Sequence, residues 1–461
     1  MADGTIGKGV ATDWNISDDG LTYTFKLRNN SHWAMFSGHK AVLGENYEDT
    51  FDITVKAEDF KFGIERTLSE QTGSADAPLF SAVKSISTPD DFTIVFNLSY
   101  ADDNFLYALT NPGAMPCDEE FFNLTNGKYG LDAKYLLCNG PFHVSKWTEK
   151  TSVKLAKNNE YNGESSVSPS SVTFYINNDD SEVADKMNSV TYDVAFLSSS
   201  QFSSIENKKD LNSVAVQNVT YSFIFNQNDN NYRNKNMRLA FCRSCDTSSL
   251  FDSQSDISKA DGIVPPSCKI GGEDYRNGNA AELLSYDETL AKKNFNDALL
   301  ELGSSSVETT ILCTEQYEPF VKQMVQKLQK TLGVKFVSTV KVVSESDLEA
   351  AVNDGNYSVA FYPFKAKSSF AGEIIEVFDQ NNIFGYESDV LSQKIRNIKN
   401  NSGSLEGERS AVADAENYLV SEAVIMPVFY ENSYFVTSKK TSGIYFYSSA
   451  DNVCFINAKK S

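Results

Sequence analysis

The chain has 461 residues, 41% of them hydrophobic and 12% aromatic, and its 62 acidic residues outnumber the 41 basic ones to give a net charge of −21 at pH 7. This length exceeds what a single hydrophobic core supports and predicts roughly two to four domains. The negative charge excludes a nucleic-acid-binding protein, because no basic stripe is available to neutralise phosphates. The sequence also contains no run of about 18 apolar residues, so no membrane-spanning helix is predicted.

The N-terminal part reads as a small α+β unit that extends to about Cys117. Asp18-Asp19-Gly20 is a turn signal, and the alternation of apolar and polar residues over 21–28 predicts a strand with one buried face. A helix is predicted over Ala57–Leu68, because its apolar residues recur on one stripe. Alternation over 92–98 predicts a second half-buried strand.

The region from 307 onward has the clearest architecture. Strands and helices alternate there, a pattern that predicts a parallel sheet wound by right-handed crossovers. The predicted order is strand 307–313, helix 319–332, strand 334–343, helix 345–353 and strand 357–362. Further helices are predicted over 290–302 and 410–424, followed by a buried strand over 425–430.

Five short blocks stand in a fixed order along most of the chain. They are Asp13-Trp14-Asn15-Ile16-Ser17-Asp18-Asp19-Gly20 running into 21–28, Ala57-Glu58-Asp59-Phe60, Asn139-Gly140-Pro141-Phe142 with Trp147, Met237-Arg238-Leu239-Ala240-Phe241 followed by Cys245-Asp246, and Gly262-Ile263-Val264-Pro265-Pro266. Together they resemble the solute-binding proteins of peptide-type ABC importers, the oligopeptide- and dipeptide-binding family (solute-binding protein family 5). The resemblance implies an α/β fold of the two-lobed periplasmic-binding-protein type (type II, cluster C) with an extra small α+β domain.

The resemblance also implies how the chain is divided. Residues 1–128 would form the extra α+β domain of the first lobe, 129–220 and 439–461 the remainder of that lobe, and 221–438 the doubly wound second lobe. In the family, a strand and a helix precede the region that corresponds to 13–28. They are missing here, so the expectation is an N-terminally truncated chain whose signal segment lies upstream.

The function implied by the resemblance is binding without catalysis. A peptide or peptide-like solute would be enclosed between two lobes by hinge closure, with crossings near 219–226 and 434–438, and delivered to an ABC permease. The expected protein is a monomer with no cofactor, outside the cytoplasmic membrane as a lipoprotein or in the periplasm. The alternative is a ligand sensor or interaction module that kept the fold without transport, and neighbouring permease or kinase genes would distinguish the two.

Two segments match the ligand-facing segments of the family. The ligand-binding residues they predict are Tyr221, Ser222, Phe223, Phe361, Pro363, Phe364, Lys365 and Lys367. Many family members carry a Trp and then an Asp that pairs with the peptide amino terminus, and here Phe364 and Lys367 stand at those positions. An ammonium repels an ammonium, so Lys365 or Lys367 would suit a carboxylate instead. If the loop is placed differently, both lysines are simply solvated, and part of the aromatic set is ordinary core.

No reactive centre is predicted. His32, His39 and His143 show no metal-ligand spacing, so no metal site is expected. Cys242-x-x-Cys245 could be a redox pair or half of a zinc site, but its place inside a predicted helix favours packing.

Two further predictions concern local structure. Cys117 and Cys138 are the pair whose proximity in sequence most favours a disulfide, with buried thiols as the other interpretation. Lys56 stands where the family has a capping Thr, and its side chain cannot accept a backbone hydrogen bond at the helix start.

Overall fold

The chain folds into two compact units. The computed structural model describes residues 6–74, 76–102, 105–163, 166–176, 180–247, 250–251, 255–365, 370–380, 382–401, 404–447 and 452–461. The first unit comprises Met1–Glu182, Lys440–Tyr445 and Val453–Ser461, and the second comprises Val183–Lys439 and Phe446–Asn452. Residues 183–220 therefore group with the second unit, whereas the sequence analysis assigned them to the first lobe. The predicted three-part division of the lobes stays a prediction.

The β-strands are short and are numbered in chain order. They are β1 (Ala11–Ile16), β2 (Thr22–Leu27), β3 (Val83–Asp90), β4 (Thr93–Leu98), β5 (Phe142–Thr148), β6 (Ser152–Lys157), β7 (Ser171–Tyr175), β8 (Val194–Ser198), β9 (Leu211–Val216), β10 (Val219–Phe225), β11 (Ile257–Lys259), β12 (Lys269–Ile270), β13 (Glu273–Asp274), β14 (Val307–Thr314), β15 (Phe336–Val343), β16 (Val359–Lys365), β17 (Ile425–Glu431), β18 (Ser433–Ser438), β19 (Thr441–Ser442), β20 (Tyr445–Tyr447), β21 (Asn452–Cys454) and β22 (Lys459–Lys460).

The α-helices are numbered in the same way, and most of the long ones belong to the second unit. They are α1 (Lys40–Leu43), α2 (Tyr47–Thr50), α3 (Ala57–Leu68), α4 (Phe105–Ala108), α5 (Glu119–Leu124), α6 (Asp180–Asn188), α7 (Ser199–Ser204), α8 (Asn230–Arg233), α9 (Lys235–Arg243), α10 (Glu288–Leu302), α11 (Glu318–Leu332), α12 (Glu345–Asn353), α13 (Glu373–Glu376), α14 (Asp389–Asn400) and α15 (Leu405–Ser421).

The first unit is built around an antiparallel sheet with the strand order β1-β2-β4-β3. The alternation predicted from the sequence is confirmed in β2, where Tyr23, Phe25 and Leu27 are buried on one face. Ile64 of α3 belongs to the same core, so the helix covers that face. Strands β5, β6 and β7 form a second antiparallel sheet in this unit.

Helix α3 has the predicted bounds, but its N-terminus is satisfied in an unexpected way. Lys56 is the N-cap residue and, as predicted, its side chain makes no capping hydrogen bond. The carboxylate of Asp59, three residues later, accepts a hydrogen bond of 2.8 Å from the Lys56 backbone N–H. This is one half of a capping box. The bond places the Asp59 carboxyl group in a buried position.

The second unit contains a six-stranded sheet with the order β11-β17-β10-β16-β14-β15. Strands β14, β15 and β16 are parallel, and helices α11 and α12 connect them. Apolar side chains fill cores on both faces of the sheet, with Phe223 and Leu328 in one core and Ile224 and Leu348 in the other. The doubly wound arrangement predicted from the alternating pattern is therefore confirmed.

Arg238, from one of the five sequence blocks, ties two helices of the second unit together. Its side chain is buried, and its Nε and Nη2 donate to the carbonyl oxygens of Ala423 and Glu422 at 2.9 and 3.1 Å. These carbonyls lie just beyond the end of α15, where the last carbonyls of a helix lack internal donors. A second set of bonds runs from Nη1 to the Tyr232 and Arg233 carbonyls. The arginine is therefore a structural residue of this unit.

Candidate functional site

Four strands of the second unit end on the same side of the six-stranded sheet. β14, β15 and β16 are parallel, and β10 runs antiparallel to both β16 and β17, so β17 has the same direction as β16. We call this side the carboxyl edge and define it by Thr314, Val343, Lys365 and Glu431, the last residues of these strands, and by Val219, the first residue of β10. In open α/β sheets, ligands bind outside the carboxyl ends of the strands.

A polar cluster lies at the carboxyl edge. The hydroxyl of Tyr317 donates to the Glu431 carboxylate at 2.7 Å and accepts from the Gln316 side-chain amide at 3.1 Å. Tyr221 packs at an angle against Tyr317, with ring centroids 4.4 Å apart, and the two hydroxyls interact. Burial raises the pKa of both tyrosines, so both hydroxyls stay protonated and can act as hydrogen-bond donors.

A pocket of about 550 Å³ opens at the same edge. It lies over the ends of β14 and β15 and the beginning of α12, where the Ser344 hydroxyl caps the helix by accepting from the Asp347 backbone N–H at 3.1 Å. Its lining includes the carboxylates of Glu315, Glu345 and Asp347. The pocket is therefore negatively charged and favours a positively charged ligand group over an anion.

The structure separates the eight predicted ligand residues into three groups. Tyr221 and Pro363 are half-buried neighbours in register on β10 and β16, and Lys365 is exposed at the carboxyl edge. The others are buried or undescribed: Ser222, Phe223, Phe361 and Phe364 are buried, and Lys367 lies outside the described residues.

The buried aromatic residues pack in the cores of the second unit. Phe223 and Phe361 contact each other with ring centroids 4.9 Å apart, and Phe364 stacks on Phe378 at 5.7 Å on the opposite face of the sheet. Packing of this kind agrees with the interpretation of part of the aromatic set as core. Ligand contact by the eight residues stays a prediction, and Tyr221, Pro363 and Lys365 are its strongest members.

Gln316, Tyr317 and Glu431 were not predicted from the sequence. A usable signal was present, because Gln316 and Tyr317 follow the predicted strand 307–313 and Glu431 follows the predicted strand 425–430. Residues directly after parallel strands meet at one edge of a sheet. Applying that rule to all predicted strands would have placed these side chains near Lys365.

Cys242 and Cys245 are packing residues, as the sequence analysis favoured. Both are free and buried, and the Cys245 sulfur lies 3.7 Å from the Met324 sulfur. Burial raises the pKa of each thiol to about 12, so neither is an activated thiolate. Among the residues that the structure describes, no group of three or more His, Cys, Asp or Glu could hold a metal ion.

The predicted disulfide between Cys117 and Cys138 is wrong in this structure, since both are free thiols. Cys117 is buried against Arg66, whose Nη1 lies 3.4 Å from its sulfur. This contact supports the other interpretation, that of a buried small side chain. In the described part of the chain, no helix combines the length and apolar character needed to cross a bilayer.

Comparisons with known proteins agree on one family. The sequence model described as "Bacterial extracellular solute-binding proteins, family 5 Middle" matches residues 5–383. The dipeptide-binding protein DppE of Bacillus subtilis is 23% identical over 458 residues, which cover 94% of this chain and 80% of DppE. The oligopeptide-binding protein AliB of Streptococcus pneumoniae is 26% identical over 345 residues, or 64% of this chain and half (50%) of AliB.

Among solved structures, the fold is similar to that of Listeria monocytogenes OppA bound to peptide. The TM-score is 0.77 at 20% sequence identity, and the match covers 100% of this chain and 92% of OppA. This likeness shows the fold, and it confirms the α/β class predicted from the sequence.

Proposed function

The chain belongs to the bacterial extracellular solute-binding proteins of family 5, and from that premise we propose that it binds short peptides or peptide-like solutes for an ABC importer. The family is one of binding proteins rather than enzymes. The observation that carries the proposal is the family match over residues 5–383, together with relatives named as dipeptide- and oligopeptide-binding proteins.

The geometry of the second unit supports a ligand site at the carboxyl edge. A peptide in extended conformation is recognised mainly through its backbone, which needs both donors and acceptors in the protein. The Glu431 carboxylate supplies acceptors, and the Gln316 side-chain amide, which contacts the same Tyr317 hydroxyl, supplies donors, since the single Tyr317 proton is already donated to Glu431. The ring of Tyr221 adds an apolar surface, and tyrosine suits wet and adaptable interfaces for this reason.

The ends of the peptide would be recognised by charge. The carboxylates that line the edge pocket suit the ammonium of an amino terminus or of a basic side chain. Lys365 suits a carboxylate, as the departure from the family pattern predicts. The partners that complete the proposal are an ABC permease and a location outside the cytoplasmic membrane, in the periplasm or as a lipoprotein, with the binding protein acting as a monomer.

The experiment is a thermal-shift titration with defined pools of dipeptides, tripeptides and longer peptides. A ligand at about 100 times its Kd stabilises the folded state by about 2.7 kcal/mol, so a bound pool gives a measurable rise in Tm. We expect Tyr317→Phe to weaken binding about tenfold because it removes a hydrogen bond to a charged group. Tyr286→Phe, an exposed position in the same unit, is the matched control. A chain that melts normally and shows no shift with any pool contradicts the proposal.

A further inference from the structure

A second cavity, partly open to solvent, is lined only by residues of the first unit and has a volume of about 600 Å³. The four-stranded sheet contributes Trp14, Phe25 and Phe96 to its wall. Helix α3 contributes Ile64, and the segment after α4 contributes Leu109. All of these side chains are apolar, so the greater part of the wall offers no hydrogen bond to water.

A partly open apolar pocket of this size leaves apolar side chains in contact with water. Such contact is unfavourable unless a ligand or another surface covers them. Apolar cavities hold water poorly and take up apolar ligands when the shape allows. The volume falls within the ~300–1,000 Å³ typical of small-molecule sites. The cavity therefore has the size and wall of a ligand site.

The charges at this cavity have one sign. Among the described residues that line it, Lys8 and Arg28 are the only charged side chains, and no carboxylate is present. The chain as a whole carries 62 acidic and 41 basic residues, so a wall with two cations and no anion is a marked local reversal. An anionic group is favoured here and a cationic one is opposed.

The Arg28 guanidinium has one buried N–H, on Nε, without a partner among the described residues. Its Nη1 donates to the Asn162 carbonyl oxygen at 2.9 Å, and its Nη2 donates to the Gly9 carbonyl oxygen. These two bonds hold the guanidinium in place at the wall of the cavity. Buried donors are almost always satisfied, so the Nε–H is a candidate contact for a bound ligand.

We propose that the cavity binds a free single-chain amphiphile with an anionic head, such as a medium-chain carboxylate. The apolar chain would lie against Phe25, Phe96 and Leu109, and the carboxylate would accept from the Arg28 guanidinium. A peptide fits poorly, because its backbone groups would find few partners on an apolar wall. This site belongs to the first unit and is distinct from the peptide site proposed at the carboxyl edge of the second.

The probe is decanoate, used below its micelle-forming concentration, with decanol as the uncharged comparison. Binding is measured by calorimetry and by tryptophan fluorescence in a Trp147→Phe background, where Trp14 at the cavity wall and the buried Trp33 are the tryptophans left. We expect saturable binding of decanoate and about tenfold weaker binding of decanol, since a charge-assisted hydrogen bond is lost. Arg28→Gln should lower decanoate affinity to that of decanol, whereas Lys154→Gln, an exposed charge control, should not change it.

A second variant keeps the test decisive if Arg28→Gln disturbs the fold. Leu109→Trp narrows the apolar part of the cavity and leaves Arg28 unchanged, and it should weaken decanoate binding, measured by calorimetry, while the Tm stays near that of the parent chain. The proposal is overturned if decanoate does not bind saturably. It is equally overturned if Leu109→Trp binds decanoate normally or if excess peptide displaces it, because decanoate would then occupy another site.

Discussion

Arg276 and Glu416 form a bidentate salt bridge in the interior of the second unit, where their side chains are only 9% and 2% exposed. One contact, from Nη1 to Oε2, is 2.9 Å long, and the other joins Nη2 to Oε1. The backbone N–H of Val264 and the hydroxyl of Tyr275 also donate to this carboxylate, each at 3.0 Å. Every lone pair of the buried charge is thus engaged, which is what makes such a pair tolerable.

Glu416→Gln should destabilise the second unit by about 3–5 kcal/mol, because it leaves the Arg276 guanidinium buried without its counter-charge. Chemical denaturation gives the free energy of unfolding. The matched control is Glu422→Gln, which removes the charge of a glutamate that pairs with Lys235 and is more exposed than Glu416. This substitution should cost less than about 1 kcal/mol. Equal effects of the two substitutions would contradict the role given to burial.

Gly262→Ala should also destabilise this unit, by about 2 kcal/mol or more, since a β-carbon there would overlap both the Arg276 guanidinium and the Glu416 carboxylate. The same denaturation measurement applies. Gly140→Ala is the control from another of the five sequence blocks, because a β-carbon at Gly140 meets nothing within 4 Å. Its expected change lies within about 0.5 kcal/mol. A neutral Gly262→Ala would show that the ion pair can move aside.

Asp59→Asn should gain stability relative to the parent chain as the pH rises. Burial raises the pKa of Asp59 from 3.8 to about 7, so the folded chain keeps a proton that the unfolded chain releases near pH 4. The contribution of Asp59 to the free energy of unfolding therefore falls as the pH rises from about 4 to 7, by roughly 4 kcal/mol at most.

The check for Asp59 is a set of denaturation curves between pH 4 and 8 for the parent chain and for Asp59→Asn. The difference between them should shrink toward pH 4 and grow in favour of the variant toward pH 8. Asp13→Asn, at an exposed position of β1, should follow the parent chain. A constant difference would mean that the buried carboxyl does not titrate in this range.

The buried His39 should make the free energy of unfolding rise with pH, opposite to the effect of Asp59, over an overlapping pH range. Burial lowers the pKa of this imidazole from 6.5 to about 4, and its Nε2 lies 3.2 Å from the Leu136 carbonyl oxygen. In the unfolded chain His39 binds a proton below pH 6.5, whereas in the folded chain it stays neutral down to about pH 4. Its contribution to stability is therefore lost as the pH falls from 6.5 to 4, by about 3 kcal/mol. In the same denaturation series, His39→Gln should therefore gain stability relative to the parent chain as the pH falls from 6.5 to 4. A difference between the two chains that does not change with pH would contradict the prediction.

The elements best predicted from the sequence are those with local signals. Helix α12 has the predicted bounds because an amphipathic stripe follows Ser344, whose hydroxyl caps it. Helix α15 was predicted over 410–424, but it begins at Leu405, behind the capping Ser404. It ends at Ser421 because Ala423 adopts a left-handed backbone conformation with φ 49°. Arg238 donates to the carbonyl oxygens of Glu422 and Ala423 at this end, which are 184 and 185 residues away in the sequence. No local pattern reveals such a contact.

In the candidate site, too, some residues could be predicted from the sequence, whereas contacts between residues far apart in the sequence could not. Tyr221 and Lys365 were accessible through the resemblance to the family. A strand was predicted over 357–362, but β16 covers Val359–Lys365, and its pairing with β10 continues through Pro363 to Lys365. Tyr317 meets Glu431 across 114 residues of sequence, and only the strand order of the sheet brings them together.

The burial of the thiols has a practical consequence for spectroscopy. Cys117, Cys242, Cys245, Cys268 and Cys313 are shielded, and only Cys138 and Cys454, both in the first unit, are partly accessible. A maleimide dye added to the native protein should therefore attach to the first unit alone. Replacing these two residues would remove the background labelling, and one new cysteine in each unit would then carry a fluorophore pair whose energy transfer would show whether the distance between the labels changes when a solute is added.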